Sequence, residues 1–263
     1  MRRLTDRFLS VLSLVCRLPV PPPREFDYGR TDFFFPLVGI LAAAAAWLGS
    51  ALGCLVVPAS PAAETLGALG LQYLAFNLFH LDGLLDSADA LFPVVDKESR
   101  LRILKDSRIG TYAFAAGLFV VAAKAFALGG SLGFAAGRGA LRLAVFAYPV
   151  VGRAAGALVP LFARPAREDG LGSRMRGFSP VAWTAGTLLA LAPFAAAAFV
   201  SCGGAGFSVF LAAALVSAVA AGLGMAAAYR SKLGGFTGDA LGAAVEIGEA
   251  LFLVVAVALL ARL

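Results

Sequence analysis

The sequence predicts an all-α fold, a polytopic transmembrane helical bundle of about seven membrane helices preceded by a short N-terminal interfacial helix. Three observations lead there. Of 263 residues, 60% are hydrophobic and only 14% are charged, whereas a soluble domain carries about a quarter charged residues. Mean hydropathy is +0.86. Apolar runs long enough to cross a bilayer recur along the chain, separated by connections that are short except where they are charged.

In order, MRRLTDRFLSVLSLVCRLPVPPP has the basic start of a signal peptide, but its apolar run from Phe8 to Cys16 is short and interrupted by Ser10 and Ser13. Arg17 and a proline run follow it in place of a small-residue cleavage site. It is expected as an interfacial helix ending at Pro19. The apolar runs then lie near Phe33–Val57, Ala62–Phe79, Ala113–Phe134, Ala140–Phe162, Val181–Cys202, Phe207–Tyr229 and Ala240–Leu260. No domain boundary or internal repeat interrupts them, so residues 1–263 are expected to form one integral membrane domain.

Cations set the expected orientation. Arg2, Arg3, Arg7, Arg17, Arg24 and Arg30 precede the first run, and Lys97, Arg100, Arg102, Lys105 and Arg108 follow the second. Arg164, Arg167, Arg174 and Arg176 follow the fourth, and Arg230 and Lys232 the sixth. The opposite connections are nearly free of cations, with only Arg138 and Arg142 near the third. Cytoplasmic loops are the ones enriched in Lys and Arg, so the N-terminus and all charged loops are expected on the cytoplasmic side. The net charge of +6 follows from the same asymmetry and is no argument for nucleic acid as a partner. Cys16, Cys54 and Cys202 are far apart and set among apolar residues, which fits neither a disulfide framework nor a metal site.

The charge is concentrated in HLDGLLDSADALFPVVDKESRLRILKDSRIGT, from His80, the single histidine, to Thr111. Asp82, Asp86 and Asp89 are spaced i, i+4 and i+7, which stacks three carboxylates on one face of a helix continuing from the second run. Like charges on one stripe repel, and a divalent cation removes the penalty. Oxygen-only ligation favours Mg²⁺ or Mn²⁺ over zinc, and the alternative is a solvated acidic face. Gly83 lets a phosphate or a neighbouring helix approach closely. Asp106, Lys105 and Arg108 supply a further acid and two phosphate-binding cations, or belong to an ordinary basic loop. Glu246 and Glu249, at i and i+3 in the last run, are expected to face the bundle interior and to join the metal or bond a substrate. Lys124 and Arg153 are the natural counter-charges, either as structural partners or as substrate ligands. His80 is either a general base or a residue that orients a carboxylate.

HLDGLLDSAD, ILKDSRIGTY, AREDGLG and GGFTGDALGAAVEIGE, with the early RLPVP and FPLVG, closely resemble the cobalamin (5′-phosphate) synthase family, the adenosylcobinamide-GDP ribazoletransferases. The resemblance runs in the same order from Arg17 to the C-terminus. Leu85, Ser87 and Ala90 depart from the family's HLDGLADTxDG, while all three acids are kept. The pattern is also similar to that of the CDP-alcohol phosphatidyltransferases, whose DGxxAR signature is incomplete here.

The resemblance implies a multi-pass enzyme of a prokaryotic inner membrane that completes vitamin B12. It joins adenosylcobinamide-GDP to α-ribazole or its 5′-phosphate, releases GMP and needs Mg²⁺. On that basis Asp82, Asp86 and Asp89 are expected to hold the metal on the GDP pyrophosphate, with Asp106 or Asp239 completing the shell and Glu246 a further ligand. Arg108, Lys105 and Arg167 are expected to clamp phosphates, and Asp89 or His80 to take the proton from the attacking ribose hydroxyl. A homo-oligomer is left open. The rival readings are a CDP-alcohol phosphotransferase, set apart by its cytidine nucleotide, and a transporter, which predicts inverted repeats and midplane acids.

Overall fold

The computed structural model describes every residue except 1, 77, 137–138, 168–170, 176 and 261–263. Arg138, Arg176 and Glu168-Asp169-Gly170 of the expected AREDGLG loop therefore lie outside the described residues. The helices are α1 (Arg2–Val15), α2 (Thr31–Val56), α3 (Pro61–Ala75), α4 (Phe79–Leu91), α5 (Lys97–Ile103), α6 (Thr111–Phe134), α7 (Gly139–Val145), α8 (Tyr148–Phe162), α9 (Leu171–Arg174), α10 (Pro180–Leu233) and α11 (Gly238–Leu260). Among the described residues, the only strand-like pairing is an isolated bridge between Pro165 and Phe236.

Four stretches are long and apolar enough to cross a membrane: Thr31–Val56, Thr111–Phe134, Gly139–Phe162 and Pro180–Leu233. The expected count of about seven is thus not reproduced, for identifiable reasons. The run at Ala62–Phe79 yields only the 15-residue α3, about 22 Å at 1.5 Å per residue against a hydrocarbon core of about 30 Å. The fifth and sixth runs form one 54-residue helix whose backbone leaves helical geometry at Cys202 and Gly203, with φ of 64° at the glycine. That break falls at the expected cation-free connection. The 23 residues of α11 carry Asp239, Glu246 and Glu249.

The acid-bearing helix is not a continuation of the preceding run. α3 stops at Ala75, and Leu78 adopts a left-handed φ of 52° before α4 begins. α1 buries Val11, Leu12 and Val15 and leaves Arg2, Arg3 and Leu4 exposed. It ends four residues before Pro19, and Arg7 Nε bonds Asp27 Oδ2 at 2.8 Å to fasten the following segment.

α8 is the centre of the bundle. Every residue from Tyr148 to Val159 is buried, and its neighbours are α2, α10 and α11. Small residues allow that closeness, since helix association in lipid depends on close backbone approach more than on a hydrophobic driving force. The α4–α11 crossing is close as well. A Cβ on Gly83 would sit 2.9 Å from the Asp239 carbonyl oxygen, and one on Gly242 2.9 Å from the His80 carbonyl oxygen. Gly83 therefore admits a neighbouring helix. Gly242→Val should pry α4 from α11 and destabilise the protein by about 1–3 kcal/mol. A thermal unfolding curve in detergent that matched the unaltered protein would refute the crossing.

Candidate active site

Three local features place the carboxylates. The C-terminal carbonyls of α4 are capped by cations from other elements: Arg100 Nη1 donates to Ala90 O at 2.5 Å and Leu91 O at 3.1 Å, and Lys232 Nζ to Leu91 O at 2.6 Å. Such cations complement the negative end of the helix dipole. The bridge at Pro165 and Phe236, with Phe236 N–H donating to Arg164 O and Ala166 N–H to Phe236 O, both at 2.8 Å, brings the Arg167 strand beside the start of α11. A Cβ on Gly235 would lie 2.5 Å from Arg164 O, so that pairing requires glycine there. Ser87 Oγ pairs with Tyr229 Oη at 2.7 Å and lies 3.3 Å from Asp239 O, fixing α4 against α10 and α11.

The outcome is an acidic mouth formed by α4 and the first turn of α11. Asp82 is exposed, and Asp86 and Asp239 are half-buried. Burial, then the like charges of Asp82, Asp239 and Asp89, raise the Asp86 carboxyl to about 7. Burial likewise raises Asp239, against a 2.9 Å hydrogen bond from Thr237 Oγ1, and Asp82 pushes the same way. Arg167 opposes this as the nearby cation, while its Nη2 donates to Leu101 O at 3.1 Å.

The i, i+4, i+7 stripe on α4 exists, but its third acid has another task. Asp89 accepts from Gly110 N–H at 2.6 Å and Ala113 N–H at 2.9 Å, which caps the N-terminus of α6. Asp106 is bound by its own neighbour, with Arg108 Nη2 2.5 Å from Oδ2, and that guanidinium holds its carboxyl well below the usual carboxylate range. Lys105 is exposed on the same loop. Glu246 lies elsewhere, 2.9 Å from Lys124 Nζ. Among the described residues no three His, Cys, Asp or Glu side chains converge on one point to hold a metal ion. Of the five expected ligands, Asp89 caps α6, Asp106 pairs with Arg108 and Glu246 pairs with Lys124. Asp82, Asp86 and Asp239 remain, with Asp82 near enough to raise the pKa of the other two and Arg167 the nearby cation. This fits Mg²⁺, which is bound through one or two carboxylates plus waters and substrate phosphates more often than in an all-protein cage.

His80 is not at the mouth. It is 4% exposed, packed on Phe35 and Phe79. Its Nδ1 lies 3.5 Å from Arg153 Nη2, and its Nε2 has no protein partner. Its polar neighbour there is the Arg153 guanidinium.

Beneath it is a second polar cluster that sequence reasoning found only in part. Lys124 Nζ contacts Glu246 at 2.9 Å and Glu249 at 2.5 Å, and Arg153 also pairs with Glu249. Gln72 Nε2 donates to both oxygens of Glu249 at 3.0 and 3.1 Å, Tyr73 Oη to Glu246 at 2.9 Å, and Tyr148 Oη to Gln72 Oε1 at 2.5 Å. Two cations face two carboxylates, and the cluster is closed off from solvent. The signal for Gln72 and Tyr73 was available as polar groups inside an apolar run.

The family model described as cobalamin-5-phosphate synthase matches residues 7–257. An adenosylcobinamide-GDP ribazoletransferase of Klebsiella pneumoniae subsp. pneumoniae is 38% identical over 258 residues, covering 94% of this chain and 97% of that protein. Proteins of the same name from Shigella flexneri and Escherichia coli K12 are each 36% identical over 95% of this chain and 98% of their own. No solved structure matches the chain. With a match that takes in α4, the Arg167 strand and α11 together, the chain belongs to the cobalamin-5-phosphate synthase family.

Proposed function

We propose that this protein is an adenosylcobinamide-GDP ribazoletransferase that transfers the phosphocobinamide group to α-ribazole or its 5′-phosphate and releases GMP. The observation that carries the reading is the meeting of Asp82, Asp86 and Asp239 at the α4–α11 crossing in a chain of this family. Asp82 and Asp239 would hold Mg²⁺, with Mn²⁺ as a substitute. The ion would supply neutralisation of charge developing on the diphosphate oxygens. Arg167, anchored beside Asp239, steers the leaving phosphate, and Lys105 and Arg108 add positive charge on the adjoining loop. Asp86 takes the proton of the attacking ribose hydroxyl as its oxygen bonds to the cobinamide phosphorus and the bond to GMP breaks. A cation held by its neighbours lowers the Asp86 pKa and keeps it ionised for that step. We place the site on the cytoplasmic face of a bacterial inner membrane. The break at 202–203 and the apolar length of α11 support two further crossings, for about six. The charge-balanced Lys124 cluster removes the main support for transport.

GMP release from purified protein in lipid, given adenosylcobinamide-GDP with either acceptor and Mg²⁺ or EDTA, tests the reaction. Metal-dependent release with a cobalamin product is expected, and the two rates rank the acceptors. No release from folded protein sends the assay to CDP-alcohols.

The pH dependence has a definite sign. The Asp86 pKa is raised from 3.8 to about 7 in the fold, so its contribution to stability is fully present below the unfolded value and is lost as pH rises through about 7. Divalent cation relieves the same repulsion. The thermal shift produced by Mg²⁺ should therefore grow between about pH 6 and about pH 8. A shift independent of pH would remove Asp86 from the ion's neighbourhood.

A further inference from the structure

Tyr229 ends the last apolar stretch of α10 and is completely buried. Beyond it Gly234 takes a left-handed φ of 79° and donates its N–H to Arg230 O at 3.2 Å, which closes α10 and turns the chain back toward α11. The Tyr229 hydroxyl comes to lie under the first turn of α11, with Asp239 and Asp86 among its charged neighbours. It meets two other hydroxyls: Ser87 Oγ of α4 at 2.7 Å, and that of Thr237, the residue just before α11. Thr237 Oγ1 in turn donates to Asp239 Oδ2 at 2.9 Å, and Ser87 Oγ lies 3.3 Å from Asp239 O.

Each hydroxyl has a single proton, and that gives the chain of bonds a direction. The Thr237 proton is committed to the carboxylate, so toward Tyr229 the Thr237 oxygen accepts. Tyr229 therefore donates to Thr237 and accepts from Ser87. Hydroxyls aligned in this way polarise one another toward the negative charge at the end. We propose that Tyr229 is a positioning residue of the transferase: through Thr237 it holds the Asp239 carboxylate in the orientation that receives Mg²⁺. The inference rests on the metal-dependent transferase reading. Outer hydrogen-bond partners of metal ligands set affinity or activity by about 10- to 100-fold. The alternative role for a buried tyrosine is packing, which its ring performs without the hydroxyl.

Tyr229→Phe keeps the ring and removes the hydroxyl. Thr237→Val, at a half-buried position, removes the last donor and keeps the shape, and Thr237→Ser restores the donor. Mg²⁺ affinity is read first without substrates, from the dependence of the melting temperature in detergent on Mg²⁺ concentration. Tyr229→Phe and Thr237→Val should each weaken it about tenfold, and Thr237→Ser should stay within about twofold of the unaltered protein. GMP release is then titrated with Mg²⁺. Half-activation should move by a similar factor while kcat at saturating Mg²⁺ stays within about threefold. A packing role would instead lower turnover at every Mg²⁺ concentration. Unchanged Mg²⁺ affinity in folded Tyr229→Phe, or in Thr237→Val where the first variant does not fold, overturns the proposal. So does a loss that Thr237→Ser shares in full. GMP release by the unaltered protein without Mg²⁺ defeats the metal reading and the proposal with it. Weakened Mg²⁺ affinity in variants of a protein that releases no GMP leaves Tyr229 in its role and defeats the reaction instead.

Discussion

Asp86→Asn should lower kcat for GMP release by about 10²–10⁴-fold, the range lost when a positioned proton acceptor is removed, with the protein still folded. Asparagine keeps the shape and removes one of four mutually repelling carboxylates, so the melting temperature should hold or rise near pH 8. Asp82→Asn should also abolish turnover, but by a separable route. It should erase the Mg²⁺-dependent thermal shift, which Asp86→Asn retains. If either variant keeps more than about a tenth of normal turnover, the role given to that residue is wrong. Asp106→Asn is the contrasting case: its carboxylate is spent on Arg108 at the surface, and its loss should leave kcat nearly unchanged.

The contrast among these acids shows what a sequence can and cannot carry. Spacing alone places Asp82, Asp86 and Asp89 on one helical face, because 3.6 residues per turn leaves no alternative. What each acid bonds depends on chain segments distant in sequence. Asp89 is drawn off by the N–H groups of Gly110 and Ala113, 21 and 24 residues away, whereas Asp239 joins from the other end of the chain. Glu246 and Glu249 were legible as inward-facing, and Lys124 and Arg153 as their counter-charges, since lone charges in lipid are expensive. Those four charges neutralise one another in the bundle. The break between α3 and α4 has neither glycine nor proline among its described residues to announce it. The fifth and sixth runs follow one another with only the non-helical backbone of Cys202 and Gly203 between them, a break that apolar periodicity does not announce.

Lys124→Met should destabilise the protein by about 3–5 kcal/mol, the range for removing one member of a buried ion pair. The methionine fills most of the volume, so the loss arises chiefly from charge. Glu246 would retain only Tyr73, and Glu249 would depend on Gln72 and Arg153. The double variant Lys124→Met/Glu246→Gln restores neutrality and should recover more than half of the loss, because the penalty belongs to the stranded carboxylate and not to the missing lysine. The cluster binds residues of α3, α6, α8 and α11, and through Arg153 it reaches His80 at the start of α4. Its weakening should therefore loosen the acidic mouth. Unfolding by denaturant in detergent, with GMP release measured on the folded fraction, separates the two effects. KM for both substrates should rise in the single variant and return in the double. If the double variant is no more stable than the single, the cluster acts by packing, and the polar link between the bundle core and the site is refuted.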